Sequence, residues 1–183
     1  MSAEPATGAP LEGARLTAPL RPGKGVAIGL NYLDRIREAA IERPARPLVF
    51  AKFPSSVVGP GEPIRIDRSL TQRVDWGVEL AVIVARRMRD VSEGNALAHV
   101  FGYTIGNDVY ARDLQFGDGQ WVRGKSVDTF CPLVPVVVIA DELPDPQVLG
   151  LRMRVNGETV QDLSTVEVDG IGTLRNEAVE ESP

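Results

Sequence analysis

Residues Val78 to Ala85 read VELAVIVA, and residues Gly102 to Pro132 read GYTIGNDVYARDLQFGDGQWVRGKSVDTFCP. The first stretch is short, β-branched and apolar at successive positions, which predicts a strand covered on both faces and therefore interior to a sheet. Arg86, Arg87 and Arg89 mark its exit to solvent. The second stretch predicts a strand at Tyr103 to Ile105 that runs into an Asn107–Asp108 turn. Working outward, Val26 to Leu30, Pro47 to Phe53, Ile64 to Ile66, Pro132 to Ala140 and Leu149 to Val155 read as further strands. An Asn156–Gly157 pair after the last of these is a hairpin turn leading to Thr159 and Val160. Two helices are expected. One spans Tyr32 to Ile41 and is stopped by Pro44; the other spans Val91 to Val100, with Ser92 as N-cap and Gly102 at its end. The fold class is mixed β with a few helices, α+β.

With 183 residues the chain suits one domain. Met1 to about Ala14 is rich in Ala, Pro, Gly and Glu without periodicity and reads as a flexible leader, with the folded domain from residue 15 onward. Hydrophobic residues make up 43% and charged residues 25%, so wholesale disorder and fibrous repeats are excluded. A net charge of -5 argues against a nucleic-acid partner, which needs clustered excess Lys and Arg. No apolar run has the length of a membrane span, and no signal pattern is present. Cys131 is the single cysteine, which excludes an internal disulfide or a cysteine-based zinc site. The expected setting is cytoplasmic.

Residues two apart on a strand face one way, so positions 77 and 79 present side chains to one place. Only Glu79 is acidic, because Gly77 lacks a side chain. Asp108 in the turn is a second carboxylate able to join it, and two carboxylates with waters can hold Mg2+ or Mn2+. Taken singly, Glu79 also reads as a strand-end surface carboxylate and Asp108 as an Asx turn. Gly119 to Ser126, GQWVRGKS, satisfies the formal P-loop pattern. A P-loop needs an apolar strand before it and a helix after its Lys; the polar ARDLQFGD precedes it and VDTFCP follows, so nucleotide binding is not expected. Arg112 and Asp113 read either as a surface ion pair or as a site where the Arg fork receives a carboxylate. His99, far from the turn motifs and without acid partners, is given no catalytic role.

Six pieces in order carry a resemblance: GLNYLDRIREA, FAKFPSSVVGPGEPI, VDWGVELAVIV, GNDVYARDLQ, GKSVDTFCPLVP and VNGETVQ. Together they resemble the fumarylacetoacetate hydrolase family, in the catalytic-domain form shared by acylpyruvate hydrolases, oxaloacetate decarboxylases and homoprotocatechuate-pathway isomerases. The resemblance implies a β-roll, a homodimer and a small acidic dicarbonyl or 2-oxo acid substrate. It implies metal-dependent hydrolysis, decarboxylation or isomerisation through an enolate that Mg2+ or Mn2+ stabilises. By position it makes Glu79 and Asp108 similar to metal ligands, Lys125 to the substrate-polarising Lys, and Glu38 to the acid of a His–Glu lid pair. Arg112 and Gln115 are similar to substrate-pocket residues.

Three departures accompany it. Gly77 replaces the first carboxylate of the E-x-E strand. Arg35 replaces the lid His and, staying protonated without an acceptor lone pair, cannot activate water, so it is left a substrate-binding role. The third is an internal segment missing with its seam near Ser164 to Val166, which implies an incomplete roll. The resemblance therefore implies an impaired enzyme acting by decarboxylation or isomerisation before hydrolysis, or else a non-catalytic homologue: a binding or dimer-forming subunit, or a metal-free cyclase.

Overall fold

The computed structural model describes residues 13–38, 40–134, 136–165, 167–168 and 170–181, with the side chains at 34, 35 and 159–168 outside that description. In chain order β1 (Gly25–Gly29), α1 (Leu33–Glu38), β2 (Leu48–Lys52), β3 (Val57–Val58), β4 (Ile64–Asp67) and β5 (Val74–Asp75) come first. Then follow β6 (Val78–Val84), α2 (Glu93–Ala96), β7 (Val100–Asn107), β8 (Tyr110–Ala111), α3 (Arg112–Gly117) and α4 (Val122–Lys125). β9 (Cys131–Pro132), β10 (Val138–Ile139), β11 (Leu151–Val155), β12 (Glu158–Thr165), β13 (Glu167–Val168), β14 (Gly172–Thr173) and β15 (Ala178–Glu181) complete the order.

The architecture is α+β and dominated by strands, as expected. One sheet has the order β10-β7-β6 and another β11-β12-β13-β14. Pairs β1–β2 and β5–β8 are antiparallel, while β3–β9 and β4–β15 are parallel. The described strands close no barrel. One core lies between the β6–β7 sheet and β11, built from Val78, Tyr103, Ile105, Val134, Leu151, Met153, Ile171 and Leu174. A second, of Ile64, Val109, Ala111 and Phe130, lies beneath the turn that carries Asp108. Ile105, Val134 and Phe130 are fully buried, and burial of such side chains stabilises by about 1.5–3 kcal/mol each. Among the described residues no helix is long and apolar enough to cross a membrane.

Several elements differ from expectation. β6 is the edge of its sheet, not an interior strand, and Val82 and Val84 are 50% and 54% exposed. The central strand is β7, which starts three residues before Tyr103 and pairs with β6 from Val78↔Asn107 onward. The expected helix at Val91 to Val100 shrinks to α2 and a 3-10 turn at Leu97–His99. Ser92 stands at its N-cap position without a side-chain cap bond; its Oγ instead accepts from Asn95 Nδ2 at 3.0 Å. Val100 joins the ladder with β6 opposite Val84, Phe101 forms a bulge whose carbonyl accepts from the Ala140 N–H at 3.0 Å, and these hydrogen bonds outweigh one more turn of a Gly94-containing helix. Gly102 then lies inside the strand rather than at a helix end.

The expected strand Pro132 to Ala140 breaks into β9, an isolated bridge Gly106↔Leu133, and β10. Pro132 and Pro135 have no N–H, so a continuous ladder is not available. The helix at Tyr32 to Ile41 contracts to α1, and Ala40 beyond it has φ 50°.

The other elements follow their sequence closely. Asn156 and Gly157 have φ of 52° and 83°, the conformation of a two-residue hairpin turn, with Val155 opposite Glu158. The expected leader lies outside the described residues up to residue 12, and Val166, at the expected seam, lies outside them as well. The segment after it ends in β15 beside β4, where Asn176 Nδ2 donates to the carbonyls of Gly59 and Glu62 at 2.8 Å each.

Gly102 shows how tightly β7 is held. A Cβ there would lie 2.2 Å from the Val138 carbonyl oxygen. Gly102→Ala should therefore split β10 from β7 and lower the melting temperature by roughly 3–10 °C, read by circular dichroism. An unchanged melting temperature would contradict this close approach.

Candidate active site

Backbone pairing brings the two carboxylates together. Glu79 on β6 lies opposite Gly106 on β7, and Asp108, one residue past β7, donates its N–H to the Gly77 carbonyl at 2.7 Å. Gly77 faces the same way as Glu79, as strand alternation requires: a Cβ built at 77 would lie 3.7 Å from Glu79 Oε1 and 4.0 Å from the Asp108 carbonyl. Among the described residues nothing else, its two chain neighbours aside, stands within 4 Å of that position. The place where a second strand carboxylate would sit is thus open.

Asp108 is buried and clamped by two ammonium groups. Lys52 Nζ donates to its Oδ1 at 2.6 Å and to the Val109 carbonyl at 3.0 Å, while Lys125 Nζ donates to its Oδ2. Buried charges need such pairing, since an isolated ion loses several kcal/mol of hydration. Lys125 is also boxed by aromatic rings. Its Nζ lies 3.4 Å from the Tyr110 ring centroid, 5.1 Å from that of Phe50 and 5.9 Å from that of Trp121. Phe50 and Trp121 pack at 5.5 Å, and a Cβ on Gly29 would strike Trp121 Cζ3 at 2.7 Å, so only glycine admits the indole there.

The GKS triplet acquires a local explanation. A Cβ on Gly124 would meet the Ala111 carbonyl at 2.7 Å and the Gln115 nitrogen at 2.8 Å, so glycine lets α4 lie against α3. Lys125 points to Asp108. Ser126 Oγ accepts from the Phe53 N–H and donates to the Ala51 carbonyl, both at 3.1 Å, fixing the triplet to the end of β2. No phosphate loop is formed.

Burial pushes the Glu79 carboxyl up to about 7, with the Asp108 charge acting the same way; Lys125, a hydrogen bond from Tyr32 and Lys52 pull it down by less. Burial likewise lowers the Lys125 ammonium, with Lys52 adding to the fall and Asp108 and Glu79 opposing it. The Cys131 thiol is raised, first by burial.

The other sequence-derived residues fall at different distances from this cluster. Arg112 pairs with Asp75, not Asp113, and lies 5.6 Å over the Phe116 ring. Asp113 accepts from Thr71 Oγ1 at 2.6 Å and from the Gln72 N–H at 2.9 Å. Arg112 reaches the cluster indirectly, because Asp75 also accepts from the Tyr110 hydroxyl at 3.0 Å, and the Tyr110 ring lies against Lys125. Gln115 on α3 is buried, and among the described residues its Oε1 has no hydrogen-bond partner. Glu38 is exposed on α1; Arg35 is on the same helix, its side chain outside the described residues. Tyr32, just before α1, accepts from the Leu80 N–H at 3.3 Å and bonds Glu79, tying the helix to the cluster. His99 stands at the opposite end of β7 from Asp108.

Sequence reading missed Lys52 and Tyr110 as members of the cluster. Lys52 carried a signal, being the one charge in the strand LVFAK and 92% removed from solvent. A cleft between 17–21 and 54–62 contains none of the cluster residues.

The donor set does not fit a divalent cation. Among the described residues no three His, Cys, Asp or Glu side chains converge. Both oxygens of Asp108 carry an ammonium, and Glu79, Asp108, Lys52 and Lys125 sum to zero formal charge, so no net attraction offsets dehydration of a hard ion.

The raised Glu79 carboxyl sets a pH signature. Below its ordinary value of 4.5 both folded and unfolded chains hold the proton. Between 4.5 and about 7 only the folded chain does, so stability falls across that window and levels off above it. Glu79→Gln, fixed in the neutral form, should melt higher than the parent at pH 8 and alike at pH 4, in EDTA. An equal gap at both pH values would show that the carboxyl is not raised.

The model of the fumarylacetoacetate (FAA) hydrolase C-terminal family matches residues 24–168. The chain is 46% identical over 153 residues to an oxaloacetate tautomerase fahd2, mitochondrial, of Xenopus laevis, covering 82% of this chain and 48% of that protein. It thus spans about half the length of the curated relatives it matches. Among solved structures it resembles a 5-carboxymethyl-2-hydroxymuconate delta-isomerase of Mycobacterium smegmatis, with TM-score 0.80 and 34% identity over 92% of this chain and 83% of that one. It also resembles the fumarylacetoacetate hydrolase of Exiguobacterium antarcticum, with TM-score 0.73 and 47% identity over 80% and 53%. The strand pairing around Asp108, the ordered motifs and these matches agree: the chain belongs to the fumarylacetoacetate hydrolase family.

Proposed function

We propose that this chain interconverts the keto and enol forms of a small 2-oxo acid of the oxaloacetate class. The observation that carries the reading is the buried pair of ammonium groups on Asp108 beside Glu79. Enolisation removes a proton from the carbon next to the carbonyl and leaves negative charge on the carbonyl oxygen. Fixed positive groups in a site sheltered from water stabilise that charge as it forms. Lys125, anchored by its aromatic box, is the group assigned to that oxygen. Glu79, the carboxylate not clamped by lysine, is assigned the proton: it takes it from carbon and returns it to the enolate oxygen, completing the tautomerisation. The name of the Xenopus relative supports this chemistry.

Decarboxylation of the same acid passes through the same enolate and is the nearest neighbouring reaction. Hydrolysis of a carbon–carbon bond also needs an activated water. Arg35 holds no lone pair to take a proton from it, so hydrolysis is disfavoured. A second reading, a non-catalytic binding subunit, draws on the same replacement and on Gly77.

Lys125→Met should lower the rate of oxaloacetate tautomerisation by about 10²–10³, followed through the ultraviolet absorbance of the enol. Glu79→Gln should cost about 10²–10⁴. Unaltered rates in both variants, or a parent chain with no rate above buffer, would favour the binding-subunit reading.

A further inference from the structure

We propose that the site takes its 2-oxo acid as an anion on the Lys52–Lys125 ammonium pair, without a divalent cation, and that Lys52 is a substrate-binding residue. The inference rests on the reading that this cluster is the site of enolisation.

Geometry at position 77 comes first. A side chain there would enter the space beside Glu79 Oε1, and glycine leaves that space without a donor. A hard divalent ion keeps a large hydration shell and gives it up only for several anionic oxygens. Here it would meet two carboxylates, one already held by two ammoniums, with both ammoniums repelling it. Attraction and repulsion cancel to first order. Dehydration of the ion is then uncompensated.

An organic anion meets different terms. Two ammoniums against one clamped carboxylate leave one positive charge, which Glu79 balances once ionised, above about pH 7. Lys125 gives one of its three N–H groups to Asp108, and among the described residues no other oxygen accepts from it, so two donors are left for a ligand oxygen in competition with the Tyr110 ring face. During enolisation Glu79 becomes neutral as it takes the proton, and the substrate oxygen becomes negative by the same amount. The cluster keeps zero net charge from start to finish. No added cation is required to balance the enolate, because the charge lost at Glu79 reappears on the oxygen facing the lysines.

Lys52 is the part of this arrangement that matters beyond Lys125. It is buried nearly as deeply, reaches the opposite oxygen of Asp108, and has a second bond to the Val109 carbonyl that fixes its direction.

The test is calorimetric titration of the whole chain with oxalate, an anion shaped like a 2-oxo acid enolate. Oxalate should bind in EDTA with an affinity within about threefold of that in millimolar Mn2+, and Mn2+ alone should give no binding heat. Lys52→Met should weaken oxalate at least about tenfold, as loss of a charged hydrogen bond does, and Lys52→Arg should restore part of the loss. Gly77→Glu should create Mn2+ binding, visible as quenching of the free-ion paramagnetic resonance signal.

Oxalate binding that requires Mn2+ would overturn this inference and leave the enolising site standing. So would Mn2+ bound by the parent and lost in Glu79→Gln. Absence of oxalate binding under both conditions would overturn the site reading as well. Should Lys52→Met fail to fold, the comparison of EDTA with Mn2+ on the parent chain decides alone.

Discussion

A single carboxylate between two buried ammonium groups organises this protein. Asp108 directly follows the central strand β7, Lys52 ends β2, and Lys125 ends α4, so three otherwise separate elements converge on one ionic knot. Removal of any one member would leave the others charged and dry, the situation that makes broken buried pairs so costly. The surrounding features follow from this need. Gly124 permits the α3–α4 contact that aims Lys125, Ser126 ties it to β2, and Tyr110 offers a ring face to the ammonium.

The absence of a side chain at position 77 also sets the charge of the cluster. An intact acid set at the start of β6 would leave the cluster negative and ready for a hard cation. With Gly77 in that place the balance is struck inside the protein, between side chains. The proposed tautomerisation uses the positive charge that remains beside Asp108, and it asks for no water activation at position 35, where an arginine stands.

Much of this was legible in local sequence, and the exceptions have a common cause. Strand alternation placed 77 and 79 on one side, the Asn–Asp pair placed Asp108 in a turn, and Asn156–Gly157 marked its hairpin. Lys52 stood out only as a lone charge in an apolar strand; its role at the site was not legible because its partner is 56 positions away, and a strand pattern records faces, not distant charges. The position of β6 at an edge was hidden for a similar reason: apolar residues on both sides of a strand say it tolerates cover, not how many neighbours it has. Arg112 chose Asp75 over its neighbour Asp113 because β5 and β8 are paired, a long-range fact.

The parallel ladder of β4 with β15 joins residues 64–67 to residues 178–181. The strand at residues 64–67 thus finds its partner only after residues 178–181 have been made. Ile64 of β4 belongs to the core beneath Asp108, so the floor of the site includes a strand held by this long-range pairing. Pairings of such sequence separation slow folding, and during synthesis β4 must wait as an unpaired edge, the state in which strands are most open to capture by other chains.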